Sequence, residues 1–183
     1  MRFLLLLIGA LLLPGAAWAD EVDRTGWQTH VDEEWGYSIQ YPPDWNVEAG
    51  PSDTFHLKLV PPGEVPDRSC SVITIRRWWR WLVPNALAME FLTKEGYEQS
   101  LAELVDTAQV IDRKPARIGD ADVVTFRSTL VGEFKHGRKR ANTYSLVTYR
   151  RDVLYHVTCM VFEADDPDKE LASIPIVESF RLR

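Results

Sequence analysis

The sequence predicts an α+β fold, an antiparallel sheet covered by helices. Three observations carry this expectation. Apolar and polar residues alternate with a period of two through segment after segment, which turns successive side chains to opposite faces of a strand. Helix-period stripes are confined to a stretch between the early and late strands and to a short run near the C-terminus. The late strands are joined by turns short enough for hairpins, which link antiparallel neighbours. Early strands, a central helix, a meander and a terminal helix describe a sheet with helices packed on it rather than a doubly wound core.

Taken in order, residues 20–34 are polar, with acidic clusters at both ends and no sustained period, and are expected to form a flexible lead-in. In WGYSIQYPPDWNVE, Tyr37, Ile39 and Tyr41 alternate with Ser38 and Gln40, and Pro42-Pro43-Asp44 turns the backbone before Trp45 and Val47 resume the pattern. FHLKLV sets Phe55, Leu57 and Leu59 on one face, and Pro61-Pro62-Gly63 closes it. A fourth strand runs through SVITI, with Ile73 and Ile75 facing inward. Pro84-Asn85 then announces a helix, with Asn85 as its expected cap. Leu87 and Phe91 lie one turn apart, and Tyr97, Leu101, Leu104 and Val105 continue the stripe after Gly96, so one broken helix or two short ones fit equally. TAQVI, ADVVTFRSTLV, TYSLVTY and VLYHVTCMVF return to strands, with turns at Gly119-Asp120, Gly137 and Arg151-Asp152. Asp166-Pro167 opens a short helix with Pro at its first position, and Ser179-Phe180-Arg181-Leu182 ends as a strand or tail.

The first residues read MRFLLLLIGALLLPGAAWAD: one cation, an apolar run, a Pro-Gly break, then Ala17-Trp18-Ala19. That order is a secretory signal peptide over residues 1–19, with the mature protein beginning near Asp20. The apolar run is too short to span a bilayer, which takes about 20 residues. No cysteine sits at the cleavage point, so lipidation is not expected, and the address is the periplasm or the exterior. Beyond the leader stand 20 basic and 27 acidic residues, a formal net charge of −7. Such a balance gives no global attraction to nucleic acid or anionic lipid, so any contact of that kind is a local patch. Residues 35–183 fit one domain. Cys70 and Cys159, alone in an oxidising compartment, form an economical disulfide pair; two buried free thiols are the alternative.

The opening GYSIQYPPDWNVE, an aromatic-flanked strand followed by a Tyr-Pro turn and a Trp, resembles the start of a PsbP-like domain. The end is similar too, in VLYHVTCMVF, a helix after Asp166-Pro167, and the finish IPIVESFRL with Ser179-Phe180. This family comprises the α/β/α sandwiches of the extrinsic photosystem II subunit PsbP and of small exported bacterial relatives such as DcrB. The resemblance covers residues 35–183 and implies an α/β/α sandwich acting as a binding or assembly factor, with no shared catalytic set. Fold does not by itself determine function.

The unusual feature is RRWWRW, formed by Arg76, Arg77, Trp78, Trp79, Arg80 and Trp81. Three readings compete. Trp79 and Trp81 could fold under the next helix while the arginines stack on indoles. The segment could be a recognition patch for a protein partner, since Trp and Arg dominate binding hot spots. It could also rest on a membrane surface, where indoles favour the headgroups and cations favour anionic lipid. Lys135, His136, Arg138, Lys139 and Arg140 cluster at a hairpin turn, where such a run is a solvated loop that discourages edge pairing; the alternative is a basic handle for an acidic partner or a phosphate. The acidic run 163–168 lacks EF-hand spacing, and His30, His56, His136 and His156 show no metal-ligand spacing. No nucleophile elbow, zinc-protease motif or phosphate-cradling loop occurs. The expectation is therefore a non-catalytic accessory factor of the cell envelope acting through a protein partner, with RRWWRW and the strand edge beside it as the recognition surface, and with no cofactor, no metal and no nucleic acid. The alternatives are a small-ligand or lipid carrier with a cavity lined by Phe91, Tyr97 and Tyr155, and, less favoured, a hydrolytic enzyme.

Overall fold

The computed structural model describes residues 23–63, 68–77, 83–134, 137–162 and 167–183. The strands are β1 (Gln28–Asp32), β2 (Tyr37–Tyr41), β3 (Asn46–Ser52), β4 (Phe55–Val60), β5 (Arg68–Arg76), β6 (Thr107–Ile118), β7 (Ala121–Phe134), β8 (Gly137–Arg150), β9 (Val153–Phe162) and β10 (Arg181–Leu182). The helices α1 (Asn85–Glu90) and α2 (Lys94–Ala102) lie between β5 and β6, and α3 (Pro167–Glu178) follows β9. Seven strands form one antiparallel sheet in the order β3-β4-β5-β9-β8-β7-β6, and β1-β2-β10 form a second, smaller sheet.

Two apolar clusters lie on opposite faces of the large sheet. Leu146 and Val147 are neighbours in β8 and therefore point apart. Leu146 joins Leu57, Val72, Val123 and Val157 beneath α3 (Ile176, Val177) and β2 (Tyr37, Ile39). Val147 joins Val124, Phe126 and Val110 beneath Met89 of α1 and Tyr97 and Leu101 of α2. The molecule is thus an α/β/α sandwich, with the small sheet sharing the α3 side. Cys70 and Cys159 stand opposite each other in β5 and β9 with Cα atoms 4.0 Å apart, and they are joined by a disulfide.

The Ser179-Phe180 finish has a structural reason. The Ser179 hydroxyl accepts from the Gln40 N–H at 2.8 Å and lies 2.7 Å from the Ile176 carbonyl, tying the end of α3 to β2. Phe180 is buried and stacks on Tyr37 with centroids 5.6 Å apart.

Several elements differ from the sequence reading. Within the expected lead-in, Gln28–Asp32 forms β1, paired with β2 from Gln28↔Tyr41 to Asp32↔Tyr37. Its residues are mostly solvent-facing at a sheet edge, so no apolar alternation marks it. In β5 Cys70, Ser71, Val72 and Thr74 are buried, whereas Ile73 and Ile75 are half-buried. Pro84, not Asn85, holds the N-cap position of α1. Leu87 and Phe91 face outward, 44% and 72% exposed, and α1 buries Ala88 and Met89 instead. Leu104, 79% exposed, leaves the helical stripe because α2 ends at Ala102.

Candidate functional site

The turn between β1 and β2, the hairpin between β8 and β9, and the last residues of β5 meet at one end of the sandwich. Antiparallel register places Arg76 opposite Val153 and Arg150 opposite the same residue on the other side. The Arg77 N–H donates to the Asp152 carbonyl at 2.6 Å, which pins the point where RRWWRW leaves the sheet. Arg76 and Arg77 are exposed there; Trp78, Trp79, Arg80 and Trp81 lie outside the described residues.

Trp35 anchors this end. The Arg76 guanidinium lies 4.9 Å from its ring centroid, and the His56 ring lies 4.4 Å away. The Tyr155 hydroxyl donates to the Trp35 carbonyl at 2.7 Å. Gly36 adopts φ +66°, a conformation that opposes any side chain, and its carbonyl accepts from the Arg183 N–H at 2.9 Å. Around these groups lies a depression of about 260 Å³, lined by Glu34, Trp35, Arg76, Arg150, Asp152 and Tyr155 among others. Burial raises the Tyr155 pKa; Arg150 and Arg76 oppose that shift, while Asp152 and Asp32 add to it. Arg150 also borders a second depression of about 280 Å³ toward Met89, Asp122 and Leu182. Arg183 bridges to Glu33 at 2.8 Å.

The sequence reading placed a recognition surface on RRWWRW and on a strand edge beside it. The edge is corrected: β5 is an inner strand, paired by β4 on one side and β9 on the other, and the edges of the large sheet are β3 and β6. The basic run at the β7–β8 turn stands at the other end of β8 from Arg150, about 40 Å away along a 14-residue strand. The two cationic segments therefore form separate surfaces. Lys135 and His136, and residues 163–166 of the acidic run, lie outside the described residues.

The cavity expected between Phe91, Tyr97 and Tyr155 is also corrected. Tyr97 stacks on Phe126 with centroids 3.9 Å apart on the α2 side, Phe91 is turned outward, and Tyr155 packs with Tyr37 and Phe180 on the opposite face. Alternation along β9 separates Tyr155 from His156, and His156 is the residue that meets Tyr97, Nε2 to hydroxyl 2.9 Å. Burial pushes the His156 pKa down to about 4 and the Tyr97 hydroxyl upward, so both are neutral near pH 7. Among the described residues, no three His, Cys, Asp or Glu side chains gather as a metal site.

Trp35, Gly36 and Arg150 escaped the sequence reading. They are far apart in the sequence, and only Trp35-Gly36 ahead of an aromatic strand offered a local signal.

No protein-family model matches this sequence, and no curated protein matches it. Solved structures do. Cyanobacterial PsbP (CyanoP) from Synechocystis superposes with a TM-score of 0.61 at 18% identity, covering 90% of this chain and 97% of that one. The Ran-binding protein Mog1p of Saccharomyces cerevisiae gives 0.54 at 12% identity, covering 85% and 95%. LpqN, involved in cell envelope biogenesis of Mycobacterium tuberculosis, gives 0.54 at 12% identity, covering 85% and 90%. At these identities the likeness is one of fold. With its antiparallel sheet roofed by helices on both faces, the protein has the PsbP-like fold that GYSIQYPPDWNVE and the Ser179-Phe180 finish led one to expect.

Proposed function

We propose that this protein is an exported, non-catalytic accessory factor of the cell envelope that works by binding a protein partner, with RRWWRW as its recognition surface. The observation that carries the reading is the anchoring of Arg76 and Arg77. Both are solvent-exposed at the end of an inner strand, yet one is stacked on Trp35 and the other is fixed to Asp152, so the segment leaves the sheet from a defined point. Preorganised Trp and Arg side chains make effective interface anchors. Two proteins of the same fold fit the role by name, one a Ran-binding protein and one involved in cell envelope biogenesis. The disulfide suits an oxidising compartment outside the cytoplasm. Tyr97 and His156, both with shifted pKa values, are engaged with each other in the interior.

The test is crosslinking capture from the envelope fraction with the intact protein and with Trp78→Ala/Arg80→Ala. The expected outcome is loss of the captured partner with a Tm within a few degrees of the parent. A large fall in Tm with capture unchanged would show the segment to be core. A membrane-surface reading is favoured by the outward Leu87 and Phe91, which follow the segment directly. It predicts co-sedimentation with anionic vesicles that the same double variant abolishes.

A further inference from the structure

We infer that the outer edge of β1 is a strand-addition site, at which an extended segment of the bound protein pairs its backbone with Thr29, His30 and Val31. The inference rests on the partner-binding reading and names the form that the contact takes. β1 is an edge of the small sheet, paired with β2 on one side only. In such a strand, alternate residues point their N–H and C=O groups outward. Among the described residues, the backbones of Thr29, His30 and Val31 make no hydrogen bond beyond the pairing with β2. Donors and acceptors at that spacing are matched by another extended chain.

The other sheet edges are closed. On β6, the Val110 N–H donates to the Glu98 carboxylate at 2.8 Å, the register shifts between Val110 and Asp112, and Pro115 has no N–H. On β3, Gly50-Pro51 and a register shift between Ala49 and Ser52 interrupt the ladder. β10 is two residues long. Beside it, on the same side of β2, the Ser179 hydroxyl accepts from the Gln40 N–H and lies 3.1 Å from the Gln40 carbonyl. Short strands, prolines, bulges and covering groups are the means by which sheet edges avoid pairing. β1 has none of them: QTHVD holds no proline and no lysine, and its register with β2 runs unbroken from Gln28↔Tyr41 to Asp32↔Tyr37.

Size and position select the occupant. The 5 residues of β1 span about 17 Å, whereas a stable pair of copies needs an interface of roughly 1,000 Å² or more. A strip of that length falls well short by itself, so the occupant is a segment of a protein that is also held elsewhere. The second hold is close. Trp35 lies in the turn after β1, and the Arg76 guanidinium stands 4.9 Å from its ring, where RRWWRW leaves the sheet. β1 is continuous with that proposed recognition surface, separated from Trp35 only by Glu33 and Glu34.

The side chains state what such a segment carries. Thr29 and Val31 are exposed on the side of the small sheet turned away from the buried Tyr37, Ile39 and Tyr41, and their partners in β2 are Gln40 and Ser38. A β-branched residue of the added strand packs beside each of them, as cross-strand neighbours do. His30 points to the opposite side, where its ring lies 6.2 Å from that of Tyr37. The segment is therefore an extended stretch rich in Val and Thr rather than a helix or a charged tail.

The experiment has two arms, both on the mature protein. In the first, amide hydrogen exchange is followed by NMR with the probe acetyl-Lys-Val-Thr-Val-Thr-amide and with its counterpart N-methylated at every backbone nitrogen. The plain probe is expected to slow the outward amides of β1 roughly tenfold at about ten times its Kd, and to leave β3 and β6 unchanged. The methylated counterpart keeps the side chains but lacks the donors, and should do nothing. No slowing by the plain probe, equal slowing by both, or slowing at β3 or β6 would overturn the inference. In the second arm, benzoylphenylalanine replaces Val31, Val47 or Ile111, exposed residues of β1, β3 and β6, and is photoactivated in the envelope fraction. Crosslinks to the partner that the intact protein captures are expected from the Val31 replacement alone. A Val31 crosslink to a second copy of this chain overturns the choice of occupant. If Trp78→Ala/Arg80→Ala loses the partner while Val31 crosslinks nothing, the β1 inference falls alone and the partner-binding reading stands. If the intact protein captures no partner, that reading falls, and with it the occupant inferred here.

Discussion

The His156 imidazole meets the Tyr97 hydroxyl under α2, and its proton affinity is a property of that site. Burial lowers its pKa from 6.5 to about 4, so between those values the unfolded protein takes up a proton that the folded protein refuses. Stability from this residue is fully present above pH 6.5 and drains away as the pH falls toward 4, a loss on the order of 3 kcal/mol. Urea unfolding of the parent and of His156→Gln at a series of pH values checks this: the difference between the two curves should grow across that window and be flat above it. The partner of His156 was not legible in the sequence, because residues 97 and 156 belong to different elements. Trp35 is a sharper case. As a lone indole before a glycine it reads as one aromatic among many, and its contacts with Arg76 and His56 exist only once the β1–β2 turn is brought against β4 and β5.

Among the elements, those with both a strong period and clear stop signals were read correctly in kind, and the exceptions share a cause. β6 continues past Ile111 through Asp112, Arg113, Lys114 and Pro115 to Ile118, a stretch too charged and too proline-marked to suggest a strand. It can do so because it is an edge strand, where a missing N–H costs nothing and charge discourages further pairing. β1, also at an edge, was missed for the same reason. The helices between β5 and β6 show the converse error. Leu87 and Phe91 sit at helical spacing, yet α1 is only six residues long and turns a different face to the sheet. α2 depends more on its cap: the Thr93 hydroxyl accepts from the Gly96 N–H at 3.0 Å. Thr93→Ala should cost about 1 kcal/mol in urea unfolding, and Thr93→Ser should restore most of it.

At the scale of the whole molecule, the disulfide joins residues 89 positions apart and ties β5, which precedes the helices, to β9, which follows the meander. By the loop-entropy estimate, Cys70→Ala/Cys159→Ala should lower stability by about 4–5 kcal/mol, measured by thermal or urea unfolding of the parent with and without reductant beside the variant. Strand periods, turn residues, the cysteine pair and the PsbP-like resemblance are carried by short stretches of sequence, because backbone sterics and local apolar spacing act over a few residues. From them the sequence by itself determined an antiparallel α+β sandwich. The order β3-β4-β5-β9-β8-β7-β6, the inner position of β5, the division of Tyr97 and Tyr155 between two faces, and the convergence of Trp35, Arg76 and Arg150 were decided only by the tertiary structure. These depend on which distant segments bury their apolar faces against one another, and no local pattern encodes that choice.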